Sequence, residues 1–289
     1  MSRGITILHA CSGPTRDGGY SYHLHHFGAD CVDYDIVNSP MQDLLDDDAW
    51  AKLQQEVEDN RYQGLQADPV CTSFSAARGM HAGPPPLRDA SGPGMYGRKD
   101  LTPEQKKQVA GDSLIAIRVA WLALAMASKG YPFVIEQPDM RQGSPHMFNL
   151  LEYQKLRCVP GVRVKRFVQC PFEAISIKPT AIIHFLVKLP SRLFLGACPH
   201  EPKWWRYVDD GSWTWKRHQV LEGKRIMVPA RTFRPRAQRN SVDFLTKAAS
   251  AYPSKMNLAL AKAMLCAVRR AKRLDLKARL IHKKRDFEA

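Results

Sequence analysis

Short apolar runs and longer amphipathic stretches take turns along the first 140 residues. ITILHAC (5–11) predicts a first strand, GGYSYHLHHFG (18–28) the helix after it, and DCVDYDI (30–36) a second strand. DAWAKLQQEVEDN (48–60) has the period of a polar-faced helix, and YQGLQAD (62–68) leads into a third strand. SLIAIRVAWLALAMASKG (113–130) reads as a long buried helix and YPFVIEQP (131–138) as the next strand. The order β-α-β-α-β-α-β favours an α/β fold with a mostly parallel sheet. Between the third strand and the long helix, residues 79–105 are rich in Gly and Pro and are expected to form an irregular connection, long enough to suggest a loop beside a site.

Periodicity changes further on. VKRFVQC (164–170) and TAIIHFLV (180–187) predict two more strands. Residues 186–245 then lose clear periodicity while gaining Trp, Arg and Lys, as an insertion would. AYPSKMNLALAKAMLCAVRRAKRL (251–274) returns to a strong helical period, with Ser254 as a plausible cap. The expected organisation is a main domain over 1–185, a small insertion over 186–245, a helix over 246–270 that completes the main domain, and a basic tail over 271–289. Residues 268–289 hold nine basic and three acidic side chains, which suits either a solvated helix face or a nucleic-acid contact.

Composition narrows the function classes. Across 289 residues, 43 Lys and Arg against 28 Asp and Glu give a net charge of +15, which favours a polyanionic partner, nucleic acid first. Hydrophobic content of 44% is that of an ordinary folded protein and excludes wholesale disorder or a collagen-like chain. Seven cysteines, odd in number and irregularly spaced, do not form a disulfide framework and suggest a reducing compartment. The initial apolar run meets a glycine too soon for a secretory signal, and no stretch reads as a membrane span. An intracellular protein, cytoplasmic or nuclear, is expected, most simply a monomer.

Candidate chemistry gathers where strands end. The turn in LHACSGPTRDGGY presents backbone N–H groups ahead of a helix, either to a nucleotide cofactor or merely as a turn. Asp35, after the second strand, is placed for ribose hydroxyls, and Asp43 for an adenine amino group, a helix cap or a surface charge. Cys71 follows the third or fourth strand in a turn opened by Pro69: it is either a buried thiol or a nucleophile whose pKa is lowered by Arg78 or Arg88. Glu136 ends an apolar strand and brings a carboxylate to the same rim, where burial would suit it to proton exchange with a bound heterocycle. In CPHEPKWWRYVDDGSWTWKRHQVLEGKR (198–225), interleaved Trp and basic residues suit either base stacking with phosphate contact or a small Trp core. Cys198, His200 and His218 are three residues of metal-ligand type, but the tight Cys-x-x-Cys pair of a structural zinc site is absent, and no metal is assigned.

In this order the motifs resemble those of the DNA cytosine-5 methyltransferases, in particular a short divergent branch associated with phage, mobile-element and algal sequences. ILHACSGPTRDGGY is similar to the family's first cofactor motif with PTRD inserted, and VDYDI and QDLL to the next two. DPVCTSFSAAR resembles the Pro-Pro-Cys nucleophile motif, IEQP the Glu-Asn-Val motif, QCPFEAISIKPTAII the strand carrying basic residues to the target base, and AYPSKMNLALAKAM the last motif. The chain departs from the pattern at Val70 (usually Pro), Gln137 (Asn), Glu173 (Gly) and Lys178 (Arg).

The resemblance implies a Rossmann-like class I S-adenosylmethionine-dependent methyltransferase fold. It implies S-adenosyl-L-methionine as cofactor, held by Cys11, Ser12, Gly13, Gly18, Gly19, Asp35, Asp43, Asp68 and Asn257. Its catalytic residues would be Cys71, Glu136, Lys178 and Arg166, acting on a cytosine flipped out of DNA. Nucleic-acid contacts would come from Ser75, Arg78, Arg88 and Gln137, and from Trp204, Trp205, Arg206, Lys216 and Arg217 in the insertion. The alternatives are an RNA (tRNA-like) cytosine-5 methyltransferase and a degenerate nucleic-acid-binding module without turnover.

Overall fold

Neighbouring residues of the first strand point into two different cores, and this alternation organises the molecule. A computed structural model describes residues 4–75, 78, 84–139, 143–174, 176–200, 204–207, 213–216, 224–226, 242–244 and 252–288, with side chains described outside 201–251 and 275–289. Strand β1 (Thr6–Ala10) sends Leu8 and Ala10 to one face of the sheet and Ile7 to the other. On the Leu8 face pack helices α2 (Asp47–Glu58), α3 (Pro103–Ser128) and α4 (Leu151–Arg157), through Leu53, Val119, Leu122 and Tyr153. On the Ile7 face pack α1 (Tyr20–His26) and α5 (Ser254–Glu288), through Leu24, Met256, Leu260 and Met264. Covering a sheet on both faces is what parallel strands require.

The other strands are β2 (Asp30–Tyr34), β3 (Leu65–Ala67), β4 (Phe133–Pro138), β5 (Val162–Val168) and β6 (Pro179–Phe185), in spatial order β2-β1-β3-β4-β6-β5. The pairs β1·β2, β1·β3 and β3·β4 are parallel, with Thr6 opposite Asp30, Leu8 opposite Leu65 and Leu65 opposite Phe133. Strand β6 runs antiparallel to both β4 and β5. The chain leaves β1 outward to β2 and then crosses back to β3 on the opposite side. This reversal opens a crevice at the carboxyl ends of β1 and β3, the position where open α/β sheets bind ligands.

Two expectations are corrected. The long helix begins at Pro103, not residue 113, because Thr102 and Gln105 form a reciprocal capping box with Pro103 at the first helical position. The Gly/Pro-rich stretch therefore ends in that helix start, after a 3₁₀ turn at Pro93–Tyr96. By length and composition α3 alone among the described helices is long and apolar enough to cross a membrane, yet it is a core helix: it packs on the sheet and buries Asp112 and Arg118, whose guanidinium donates to the Leu44 carbonyl at 2.7 Å.

Helix α5 runs through most of the residues set apart as a tail. Within the expected insertion lie two antiparallel pairs, β7 (Trp204–Tyr207) with β8 (Trp213–Lys216) and β9 (Lys224–Ile226) with β10 (Val242–Phe244). The side chains of Trp204, Trp205, Arg206 and Lys216, and the whole of Arg217 and His218, lie outside the described residues.

Candidate active site

Period-two alternation fixes where Glu136 points. On β4, Phe133 and Ile135 face the α3 core and Val134 the α5 core, so Glu136 joins Val134 on the α5 side. There Tyr252, two residues ahead of α5, donates its hydroxyl to Glu136 Oε2 at 2.5 Å, while the buried Oε1 has no hydrogen-bond partner among the described residues. Burial pushes the Glu136 carboxyl up to about 7, against the nearby Lys178 ammonium, which favours ionisation, and with the Asp68 charge, which opposes it. Lys178, just before β6, lies 5.0 Å from the centre of the Tyr252 ring.

Cys71 follows β3 and opens the 3₁₀ turn Thr72–Phe74, its carbonyl accepting from Phe74 N–H at 3.0 Å. Burial and the Glu136 charge push its thiol up to about 11, with Lys178 pulling the other way. This corrects the expectation of a resting thiolate activated by Arg78 or Arg88. The cation that acts on the sulfur is Lys178, and it is outweighed. Cys71, Glu136, Lys178 and Tyr252 thus form one electrostatically coupled group.

Arg88 requires a second correction. It is 1% exposed and cannot be a surface phosphate contact. Its guanidinium donates to Ser73 Oγ, Ser113 Oγ and the Met95 and Val109 carbonyls and lies 3.7 Å over the Phe74 ring. Asp112 holds the same turn by accepting from Ser73 N–H. Arg88 is thus the staple that fixes the turn carrying Cys71 against α3. We expect Arg88→Ala to cost on the order of 3 kcal/mol, because it strands buried acceptors around an emptied site. In a chain of this size thermal unfolding should fall by roughly 4–6 °C. An unchanged melting temperature would contradict this role. Arg78 closes the turn from outside, donating to the Thr72 and Pro85 carbonyls. Ser75 ends the 3₁₀ turn, and Gln137, 2% exposed, donates to the Pro69 carbonyl at 2.7 Å, locking the two strand ends together.

Arg166 is not part of this group. It is half-exposed on β5, paired with Asp139 at 3.3 Å, and with that residue lines a recess that includes His146, Phe148 and Arg157.

On the other side of the crevice, the turn after β1 is built from residues with left-handed backbone, Cys11 (φ 55°), Gly13 (φ 65°) and Gly18 (φ 68°). Gly13 faces open space and donates its N–H to Asp35 Oδ2; Asp35 Oδ1 accepts from Val37 N–H, so each carboxylate oxygen retains an accepting lone pair. A side chain at Gly18 would lie 2.8 Å from Ser254 Oγ, and Asn257 donates to the Gly18 carbonyl, so α5 clasps this loop. Asn38 donates to Ser12 Oγ and the Gly13 carbonyl. Gly19 donates to the Arg16 carbonyl, and Cys11 is packed against the α3 core with its thiol pushed far up by burial. Asp43 accepts from Leu45 N–H; the cap of α2 is Asp46.

The floor of the crevice holds residues that sequence reasoning passed over. His9 donates from Nδ1 to Asp33 Oδ1 and from Nε2 to Asp68 Oδ2, both at 2.9 Å. Burial alone would lower the imidazole pKa, but the two carboxylates raise it to about 9, so the ring is a cation at neutral pH. The signal was a histidine on the inward side of an apolar strand. Tyr252 carried no comparable signal. Lys178 has φ 36° and Glu173 φ 69°, a left-handed conformation that favours glycine, and Lys255 pairs with the Glu173 carboxylate at 2.5 Å.

No family model matches this chain, and no curated protein matches it. Among solved structures, an Escherichia coli protein described as a candidate DNA modification methyltransferase encoded within a prophage is 11% identical, with a TM-score of 0.34. The alignment covers 71% of this chain and 60% of that one, so the chain spans less than two thirds of that structure's length.

Proposed function

We propose that the protein is an S-adenosylmethionine-dependent DNA cytosine-5 methyltransferase built on a class I, Rossmann-like sheet. The observation that carries this reading is the buried Glu136 carboxyl beside Cys71, one oxygen held by Tyr252 and the other without a hydrogen-bond partner among the described residues. A nucleophile alone has many uses. A nucleophile next to a carboxyl that is half-protonated near neutral pH suits attack on a heterocycle that must gain a proton as it is attacked.

Cytosine is such a ring. Cys71 Sγ adds to carbon 6, Glu136 protonates ring nitrogen 3 through its free oxygen, and carbon 5 becomes nucleophilic. Lys178 steadies the base or its backbone, with Tyr252 fixing Glu136 between them. The β1 side of the crevice, where the end of β2 adjoins it, fits the donor: Gly13 leaves open space and Asp35 keeps accepting lone pairs for ribose hydroxyls. Ser12, Asp43, Asp68 and Asn257 complete its surroundings. When bound there, the sulfonium donor supplies an electrophilic methyl group. Loss of the carbon 5 proton to water, with return of the nitrogen 3 proton to the Glu136 carboxylate, then expels the Cys71 thiolate from carbon 6 and restores both groups.

The target base must leave the helix to reach these groups, and the net charge of +15 suits a phosphate-rich partner. In this reading residues 1–185 and the first part of α5 form the catalytic unit, and 186–245 reads the target.

The test is methyl transfer from methyl-tritiated S-adenosylmethionine, run in parallel on unmethylated duplex DNA and on tRNA. Label on DNA cytosine is expected. Label confined to tRNA would replace the substrate, and no label on either would remove the activity.

A further inference from the structure

Three ligating side chains that the proposed chemistry does not use converge at the far end of β5. Cys170, buried, opens the 3₁₀ turn Cys170–Phe172. Cys198 and His200 arrive on the strap that follows β6. That strap is fastened locally: Val168 N–H donates to the Leu195 carbonyl at 2.9 Å, and Phe194 packs edge-on against Phe167 and Phe172 at 4.8 and 5.2 Å. The result places Cys170 Sγ 3.4 Å from Cys198 Sγ, and Cys198 Sγ 3.5 Å from His200 Nδ1, with all three atoms within 4.8 Å of one another.

These separations suit a metal better than a covalent bond. A disulfide needs about 2.05 Å between sulfurs. Around a tetrahedral zinc with bonds of about 2.3 Å to sulfur and 2.05 Å to nitrogen, neighbouring sulfurs stand about 3.8 Å apart and sulfur and nitrogen about 3.6 Å apart. Small adjustments of the three side chains would reach that shape. A second trio of metal-ligand type, His9, Cys31 and Asp33, is different: both ring nitrogens of His9 are already committed to carboxylates, leaving no lone pair for an ion.

We propose that Cys170, Cys198 and His200 bind a zinc ion that fastens the strap leading into the 201–251 segment to the end of β5. These are the ligands that the described residues supply, and Cys170 takes a place that the sequence pattern alone would give to His218. The site closes the β5–β6 connection from which Lys178 emerges, so the ion would fix the start of the recognition segment relative to the catalytic group. Binding deprotonates the two thiols, one proton leaving from each as a sulfur–zinc bond forms. Without metal, burial and the neighbouring Cys198 push the Cys170 thiol up to about 12.

The experiment measures metal in the full-length protein, purified without chelator from zinc-supplemented culture. About one zinc per chain is expected, falling to well under about 0.3 in Cys198→Ser and in His200→Ala. Cys158→Ser, which alters an exposed cysteine remote from the trio, should retain it. Cobalt added to the metal-stripped protein should give a thiolate-to-metal absorption band that weakens by about half in Cys170→Ser. Folded wild-type protein that holds no zinc and takes up no cobalt overturns the proposal. So does an intact mass two hydrogens low with Cys170 and Cys198 joined in a disulfide. Neither readout requires methyl transfer, so this site and the proposed activity fail separately.

Discussion

Replacing Cys71 by alanine is expected to reduce methyl transfer on the order of 10⁴-fold or more while leaving the fold intact. The loss is large because Cys71 is the nucleophile that the described residues place at this rim: the other cysteine nearby, Cys11, is packed against the α3 core. The structural cost is small, since Cys71 is only partly buried and its turn is held by Arg88, Asp112 and Gln137 rather than by its own side chain. Tritium transfer and thermal unfolding, measured on the same preparation, separate the two effects. Residual transfer within tenfold of wild type would remove Cys71 from the mechanism.

Glu136→Gln should lower transfer by about 10²–10³-fold, the usual cost of losing a positioned proton donor at developing charge. The pH profile carries the sign of the argument. The active form needs a Cys71 thiolate and a protonated Glu136, a pair holding one proton in total. It forms from the doubly protonated resting pair as pH rises through about 7, where Glu136 titrates, and is lost as the second proton leaves toward about 11. We therefore expect kcat/KM to climb through neutrality to a plateau. Tyr252→Phe removes a hydrogen bond that favours the ionised carboxylate, so the rising limb should move to higher pH.

Stability moves the opposite way. A carboxyl whose folded pKa is raised from 4.5 to about 7 stabilises the fold most below the unfolded value, and that contribution is lost as pH rises through 7. At pH 8 the glutamine variant should thus be more stable than wild type, by on the order of 3 kcal/mol. A variant that keeps the rising limb near pH 7, or that shows no gain in stability at pH 8, would contradict the buried-carboxyl account.

How much of this was legible in sequence depends on the range of the interaction. The alternation that builds β1 to β4 is local, and it also placed Cys71 and Glu136 at the ends of β3 and β4. Tyr252 reaches Glu136 across 116 positions, a distance over which no sequence period operates. Arg88 sits in a Gly/Pro-rich stretch and reads as a surface cation; only the folding of that stretch over α3 buries it. The α3 start was written in Thr102, Pro103 and Gln105, a capping signal obscured by the irregular residues before it. Lys178 was singled out by motif resemblance, while Arg166, chosen on the same grounds, pairs with Asp139 instead. His9 was legible in principle, because β1–β2 register sets it opposite Asp33, but an isolated histidine in an apolar strand has many ordinary explanations.

The most direct test of the Cys71–Glu136 site is covalent trapping on a duplex containing 5-fluorocytosine, with S-adenosylmethionine present. Fluorine at carbon 5 cannot leave as a cation, so elimination is blocked and the sulfur–carbon 6 bond persists. The expected result is a protein–DNA adduct that carries the transferred methyl group and maps by mass spectrometry to Cys71, absent in Cys71→Ala and slowed in Glu136→Gln. No adduct on a duplex the protein binds, or an adduct at another cysteine, would contradict the assignment.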